Sequence, residues 1–160
     1  MGERAEEVKA RLLKIFPELA HDENFEITSK KSSDYNCIAW AYIIKDKWMW
    51  PNTGDGSFLD GVNYWPSDEI LDGDVSHFIK AFELKGYSVC EACKFDPGYT
   101  KIALYVKANS TECTHAAREK RNGFWTSKLG SDVDIQHGTP YTIENHFYGK
   151  VYCFMKMKFE

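Results

Sequence analysis

A chain of 160 residues with 43% hydrophobic side chains can bury a core of its own, and the expectation is a single domain over 1–160. A net charge of -4 argues against a surface that neutralises nucleic-acid phosphates, so nucleic acid is not an expected partner. The opening "MGERAEEVKARLLKIF" lacks the apolar stretch of a signal peptide and no later run approaches the ~20 apolar residues of a membrane span, so a cytoplasmic protein without membrane contact is expected.

The pattern predicts a helix over 4–16, where Val8, Leu12 and Phe16 recur every four residues and "FPEL" ends the run. A polar stretch with an extended "FEIT" leads to "SSDYNC", where Asp34 or Asn36 can cap a second helix predicted to end by Lys47. Its inward face is expected to carry Cys37, Ala41, Ile44 and Trp48. "WMWPNTGDGSFLDGVNYWP" reads as an aromatic-rich loop that could roof a site. A third helix is predicted over Asp74–Lys85, with Val75, Phe78, Ile79 and Phe82 inward and Gly86 as its stop. From there the chain turns to short β-branched and aromatic runs, "YSVCEA", "TKIALYV", "ECTHAARE", "FWTSKLG" and "YGKVYCFMKMKF", separated by turn residues. The expected class is therefore α+β, a helical part over about 1–86 packed on an antiparallel sheet over about 87–160.

Cys37 is the first candidate for chemistry. In the first turn of a helix the unsatisfied N–H groups and the peptide dipoles favour a thiolate, and a backbone N–H there can meet an oxyanion, with Asn36 in support. Against this stands the thiol's place on the inward face, where free cysteine is commonly buried. Strand alternation puts Cys113, His115 and Ala117 on one face, which makes His115 the candidate base. Asn122-Gly123 is a preferred two-residue hairpin loop. If Arg121 faces Phe124, then His115 faces Gly130 and Asp132 lies on the diagonal, able to orient the ring as the third member of a triad. A one-residue slip would instead leave Ser127 or Lys128 beside His115. Asp134 and His137 are the other candidates for the orienting role.

In order and character, "DYNCIAWA", "TKIALYVKANSTECTHAA" and "FWTSKLGSD" resemble the papain-like cysteine peptidase superfamily and, within it, the small NlpC/P60- and CHAP-type amidases. The resemblance implies a papain-like fold and a cysteine-dependent hydrolase or amidase acting on a peptide-like or glycopeptide substrate, with Cys37 as nucleophile, His115 as base and Asp132 as orienter. Two features depart from that pattern: Lys101 stands where those amidases carry their catalytic histidine, and bulky "IAW" follows the cysteine. The blocks "NCIAWA", "THAAR" and "WTSKLG" also resemble an uncharacterised group of small bacterial domains.

Two other readings stay open at this stage. Trp50, Trp65 and Trp125 are candidate substrate-binding aromatics, which would serve equally in a catalytically inert peptide- or glycan-binding module on the same scaffold. Cys90 and Cys93 form a C-x2-C pair that, with Cys113 and His115, could make a small zinc-stabilised domain. On the favoured reading no metal and no cofactor is expected, and neither a calcium loop nor a Gly-rich phosphate loop is present.

Overall fold

The computed structural model describes residues 4–54, 63–67, 69–91 and 94–158. Its elements are, in chain order, α1 (Ala5–Ile15), a 3-10 turn (Pro17–His21), β1 (Glu26–Ile27), α2 (Cys37–Ala41), β2 (Trp48–Met49), β3 (Asn63–Tyr64), α3 (Val75–Lys85), β4 (Ser88–Cys90), β5 (Tyr99–Val106), β6 (Cys113–Glu119), β7 (Trp125–Lys128), β8 (Asp134–His137), a second 3-10 turn (Pro140–Ile143) and β9 (Lys150–Lys158). Seven strands form one antiparallel sheet in the order β1-β8-β7-β6-β5-β9-β4, and β2 pairs with β3 in parallel. The class is α+β, with few helices and a large antiparallel sheet. The helical first half also contributes strand β1 to that sheet.

Period-two alternation divides the sheet into two covered faces. Ile102, Leu104, Ala116 and Met155 point to α2 and α3, where they meet Ile38, Phe78 and Phe82. Ala103, Tyr105, Ala117, Trp125, Ile135 and Phe154 point the other way, under Val8 and Leu12 of α1 and under Phe16 and Leu19. Each fully buried large side chain of this kind contributes about 1.5–3 kcal/mol.

α1 and α3 lie close to their predicted bounds. Asp74 caps α3 by accepting the Ser76 N–H at 3.0 Å, and Gly86 closes it in the left-handed region at φ 116°. α2 is much shorter than predicted. Asn36 is its cap, accepting from Ala39 N at 3.1 Å, but the same side chain accepts from Met49 N at 3.0 Å and donates to Met49 O at 2.9 Å. A helix continuing to Lys47 would carry residue 49 roughly 18 Å from residue 37, at 1.5 Å per residue, so the clasp on Met49 requires the chain to turn back. It does so at Ile43, where Ile43 N bonds Trp40 O and Ile44 N bonds Ala39 O in a Schellman-type exit. The left-handed position of that exit, usually glycine, holds Ile43 at φ 67°. Trp48 therefore lies on β2, not on the inward face of a helix.

Two further expectations are corrected within the sheet. Arg118 pairs with Thr126 and Glu119 with Trp125, and Lys120 N donates to Phe124 O, so the hairpin loop is Arg121-Asn122-Gly123 and the register differs by one from Arg121 facing Phe124. A two-residue type I′ turn needs positive φ at both central positions, whereas here only Gly123 takes it, at φ 88°, and the Asn122 side chain bonds Phe124 N instead. The second correction concerns the start of β6. Tyr105 pairs with His115 but Val106 pairs with Cys113, so a bulge at Thr114 breaks the alternation. Cys113 consequently packs on the α2/α3 face, while His115 shares the α1 face with Tyr105 and Ala117.

Candidate functional site

Cys37 is the first residue of α2 and lines a cavity of about 270 Å³ with Asn36, Trp48, Trp50, Thr114 and Tyr148. Only 7% of the residue is exposed. Burial pushes its thiol up to about 11, against the pull of the backbone N–H groups of Ala116, Ile38 and Cys37 and of the more distant Lys128 ammonium. At neutral pH the sulfur is therefore a thiol. No charged side chain lines the described walls of the cavity.

His115 is fully buried on the opposite sheet face, and its Nε2 lies 3.0 Å from Ser127 Oγ. Ser127 Oγ in turn lies 2.8 Å from His137 Nε2, and His137 Nδ1 lies 2.7 Å from the carbonyl oxygen of Thr139. A carbonyl only accepts, so His137 carries its proton on Nδ1 and presents a bare Nε2; Ser127 donates to that nitrogen and accepts from His115. His115 is thereby the Nε2–H tautomer, and its Nδ1 is a buried lone pair without a hydrogen-bond partner. Neither ring nitrogen is bonded to the Cys37 thiol. Burial, reinforced by the neighbouring His137, holds the His115 imidazole well below its usual range, and burial takes His137 down to about 4 against the opposing Thr139 bond. Tyr148 connects the two sides. Its ring lines the cavity and stacks on His115 at 4.1 Å between centroids and 12° between planes.

The candidate orienters are distributed elsewhere. Asp132 forms a bidentate pair with Arg11 of α1, with Nη2 to Oδ1 at 3.2 Å, and accepts from Val133 N at 2.9 Å. Burial would raise its carboxyl, but the Arg11 guanidinium outweighs that and holds it low. Under the observed register Ser127, not Asp132, stands beside His115. Asp134 is on the α2/α3 face, accepting from the Tyr35 hydroxyl at 2.8 Å, with buried Lys128 across from it in the β7–β8 pairing. Of the three candidates, His137 alone reaches His115, through Ser127.

Trp50 is the one of the three candidate tryptophans that lines the Cys37 cavity. It meets Phe78 edge-on at 5.0 Å, and Trp65, buried, meets the same ring at 5.0 Å. Trp125 is buried on the α1 face against Phe154. Trp48, part of the aromatic loop expected to roof a site, also lines the cavity, whereas sequence reasoning missed Tyr148. Tyr148 lies inside "NHFYG", where no local pattern carried it. On the zinc alternative, the Thr114 bulge turns Cys113 and His115 to opposite faces, and Cys93 lies outside the described residues. Among the described residues no group of three or more His, Cys, Asp or Glu side chains could hold a metal ion. No helix among them is long and apolar enough to cross a membrane.

No curated protein and no solved structure matches the chain. A family model described as a domain of unknown function, DUF7689, matches residues 26–156, from β1 into β9 and across every wall of the cavity; the chain belongs to that family.

Proposed function

We propose that this domain is a non-hydrolytic binding module whose Cys37 cavity receives one uncharged group, a sugar ring or a side chain of a peptide or glycopeptide. The observation that carries this reading is the state of the two groups a hydrolase would need: the thiol is buried and neutral, and the nearest candidate imidazole spends its one N–H on Ser127 from the far face of the sheet. The cavity suits such an occupant. Two indoles and a phenol offer flat apolar faces to a ring, and its volume of about 270 Å³ lies just below the ~300–1,000 Å³ of drug-sized ligand sites. One ring fits, not a long substrate.

A second reading keeps the papain-like scaffold and Cys37 as a nucleophile, with His115 as base and Asp132 as orienter. Its support is specific: α2 presents its first residue at a cavity, and the N–H groups of Cys37, Ile38 and Ala116 stand around the sulfur, where they favour an anion. The two readings separate on thiol chemistry. Labelling with iodoacetamide across the pH range should proceed slowly up to pH ~8.5 and be unaffected by His115→Gln if the cavity is a receptor. Fast labelling near neutral pH that disappears in the variant would refute the receptor and establish the nucleophile. For the ligand itself, N-acetylated sugar oligomers and short aromatic peptides should quench tryptophan emission in the native chain and do so far less in Trp50→Ala.

A further inference from the structure

Apart from the Cys37 cavity, α2 and the turn that follows it carry a group of cations resting on aromatic rings. Trp40 is laid across the Arg118–Thr126 pair of β6 and β7: its Nε1–H donates to Thr126 Oγ1 at 2.9 Å, and the Arg118 guanidinium lies over its ring, 4.4 Å from the centroid. Lys45 reaches over the same indole at 5.7 Å, and Lys85, in the last turn of α3, lies over Tyr42 at 4.6 Å. Among the described residues no carboxylate forms an ion pair with any of these three head groups. Asp134 attracts Arg118 only from beyond hydrogen-bond reach: one of its oxygens accepts from the Tyr35 hydroxyl and the other is buried without a partner. Burial, together with repulsion from Arg118, holds the Lys85 ammonium below its usual range, so these two cations are neighbours. In a chain of net charge -4 this concentration of positive charge is a local exception. An apolar residue stands among them. Ile43 follows Tyr42 and precedes Lys45 by two, is 52% exposed, and holds φ 67°. A β-branched residue takes the left-handed region against its own sterics, and half in water it gains little from burial. Glycine would make the same turn without strain, so packing gives no reason for isoleucine there. Strain retained at such a position is found at binding surfaces.

We propose that Ile43, together with Lys45, Arg118 and Lys85, forms a docking surface for an acidic peptide segment, with an apolar side chain of the partner against Ile43 and its carboxylates on the three cations. A guanidinium resting on an indole keeps its N–H fork for a carboxylate, which it can hold through two parallel bonds. The same features disfavour a nucleic acid. Exposed Asp46, next to Lys45, and exposed Glu83, two residues before Lys85, would repel a continuous phosphate track, and an apolar anchor has no counterpart on a phosphate backbone. The surface shares no residue with the lining of the Cys37 cavity, so it stands or falls apart from the receptor reading.

The test is fluorescence anisotropy of a fluorescein-labelled peptide of about ten residues, Asp and Glu around one central Leu, titrated with the intact chain at ~50 mM salt. The peptide should bind with Kd of about 100 μM or tighter, and about tenfold more weakly at ~300 mM salt. Arg118→Gln, and separately Lys45→Ala with Lys85→Ala, should weaken binding about tenfold, and Arg118→Lys, which keeps the charge but not the fork, should recover only part of the loss. Ile43→Gly should weaken binding about fivefold with a urea midpoint no lower than that of the native chain, which separates a lost contact from a lost fold. A peptide with Gly in place of the Leu should bind the native chain and Ile43→Gly alike. Absent or salt-independent binding, or native affinity in either Arg118→Gln or Ile43→Gly, overturns the proposal. Tighter binding of a single-stranded oligonucleotide of equal charge would overturn it in favour of a nucleic-acid surface, and a dimer of the native chain that Ile43→Gly dissolves would do so in favour of self-association.

Discussion

Acidification should unfold this domain through the buried His115–Ser127–His137 chain. An unfolded histidine takes its proton near 6.5, whereas His137 in the fold resists protonation to about 4. Between those values the unfolded state binds more protons, so the stability present above pH 6.5 is lost as the pH falls towards 4. One group displaced by about 2.5 units amounts to about 3 kcal/mol, a large share of the 5–15 kcal/mol of an ordinary domain. His115, which burial also holds well below its usual range, acts with the same sign. Glu119 acts with the opposite sign, because its raised carboxyl takes a proton in the fold before it does in the unfolded chain, and it offsets about one of the two imidazoles. The two effects separate in a comparison of native chain and His137→Gln, by urea unfolding followed through tryptophan emission at pH 7, 6, 5 and 4. Their stabilities should converge by about 3 kcal/mol over that range, with the variant the flatter. Parallel curves would refute the neutral, tautomer-locked arrangement inferred for the chain.

Ile43→Gly should stabilise the domain by about 0.5–1 kcal/mol, because relief of the left-handed strain exceeds the added entropy of the unfolded glycine; a lowered urea midpoint would contradict the strained exit. Glu119→Gln should be more stable than the native chain at pH 8 and lose that advantage by pH 5, since the native carboxyl is forced to ionise while buried as the pH rises through about 7. A constant difference across that range would mean that Glu119 is solvated. Arg11→Ala should cost about 1 kcal/mol by unpairing a half-exposed Asp132, and leave iodoacetamide labelling of Cys37 unchanged; altered labelling would tie Asp132 to the thiol after all.

How much of this was legible in the sequence varies by element. α1 and α3 carry their signals locally, in four-residue apolar spacing and, for α3, in an Asp cap and a Gly stop, and they lie where the pattern puts them. The long strands β5, β6 and β9 were equally visible as β-branched and aromatic runs. α2 was not, because what ends it is a side chain reaching thirteen residues ahead, from Asn36 to Met49, and window-based spacing cannot see that contact. Cys37, Asn36 and Trp50, singled out from the sequence, line one cavity, but its Tyr148 wall carried no sequence signal. The face of His115 hung on a single bulge at Thr114, and the neighbour of that ring on a hairpin loop of three residues where two had been expected. In a sheet each such step reverses which side a group addresses, so a legible set of reactive residue types did not determine which of them meet.

The Asn36 clasp has a consequence for recognition. By holding Met49 with two bonds while capping the helix that begins at Cys37, it fastens one aromatic side of the pocket to its sulfur-bearing base as a single rigid body. If the pocket is the receptor proposed above, a guest meets a host already shaped, so little of its affinity is spent on ordering that host, and discrimination between guests falls to fit rather than to induced closure. On the receptor reading proposed above, selectivity would then be a matter of ångström-scale shape, held by one amide side chain.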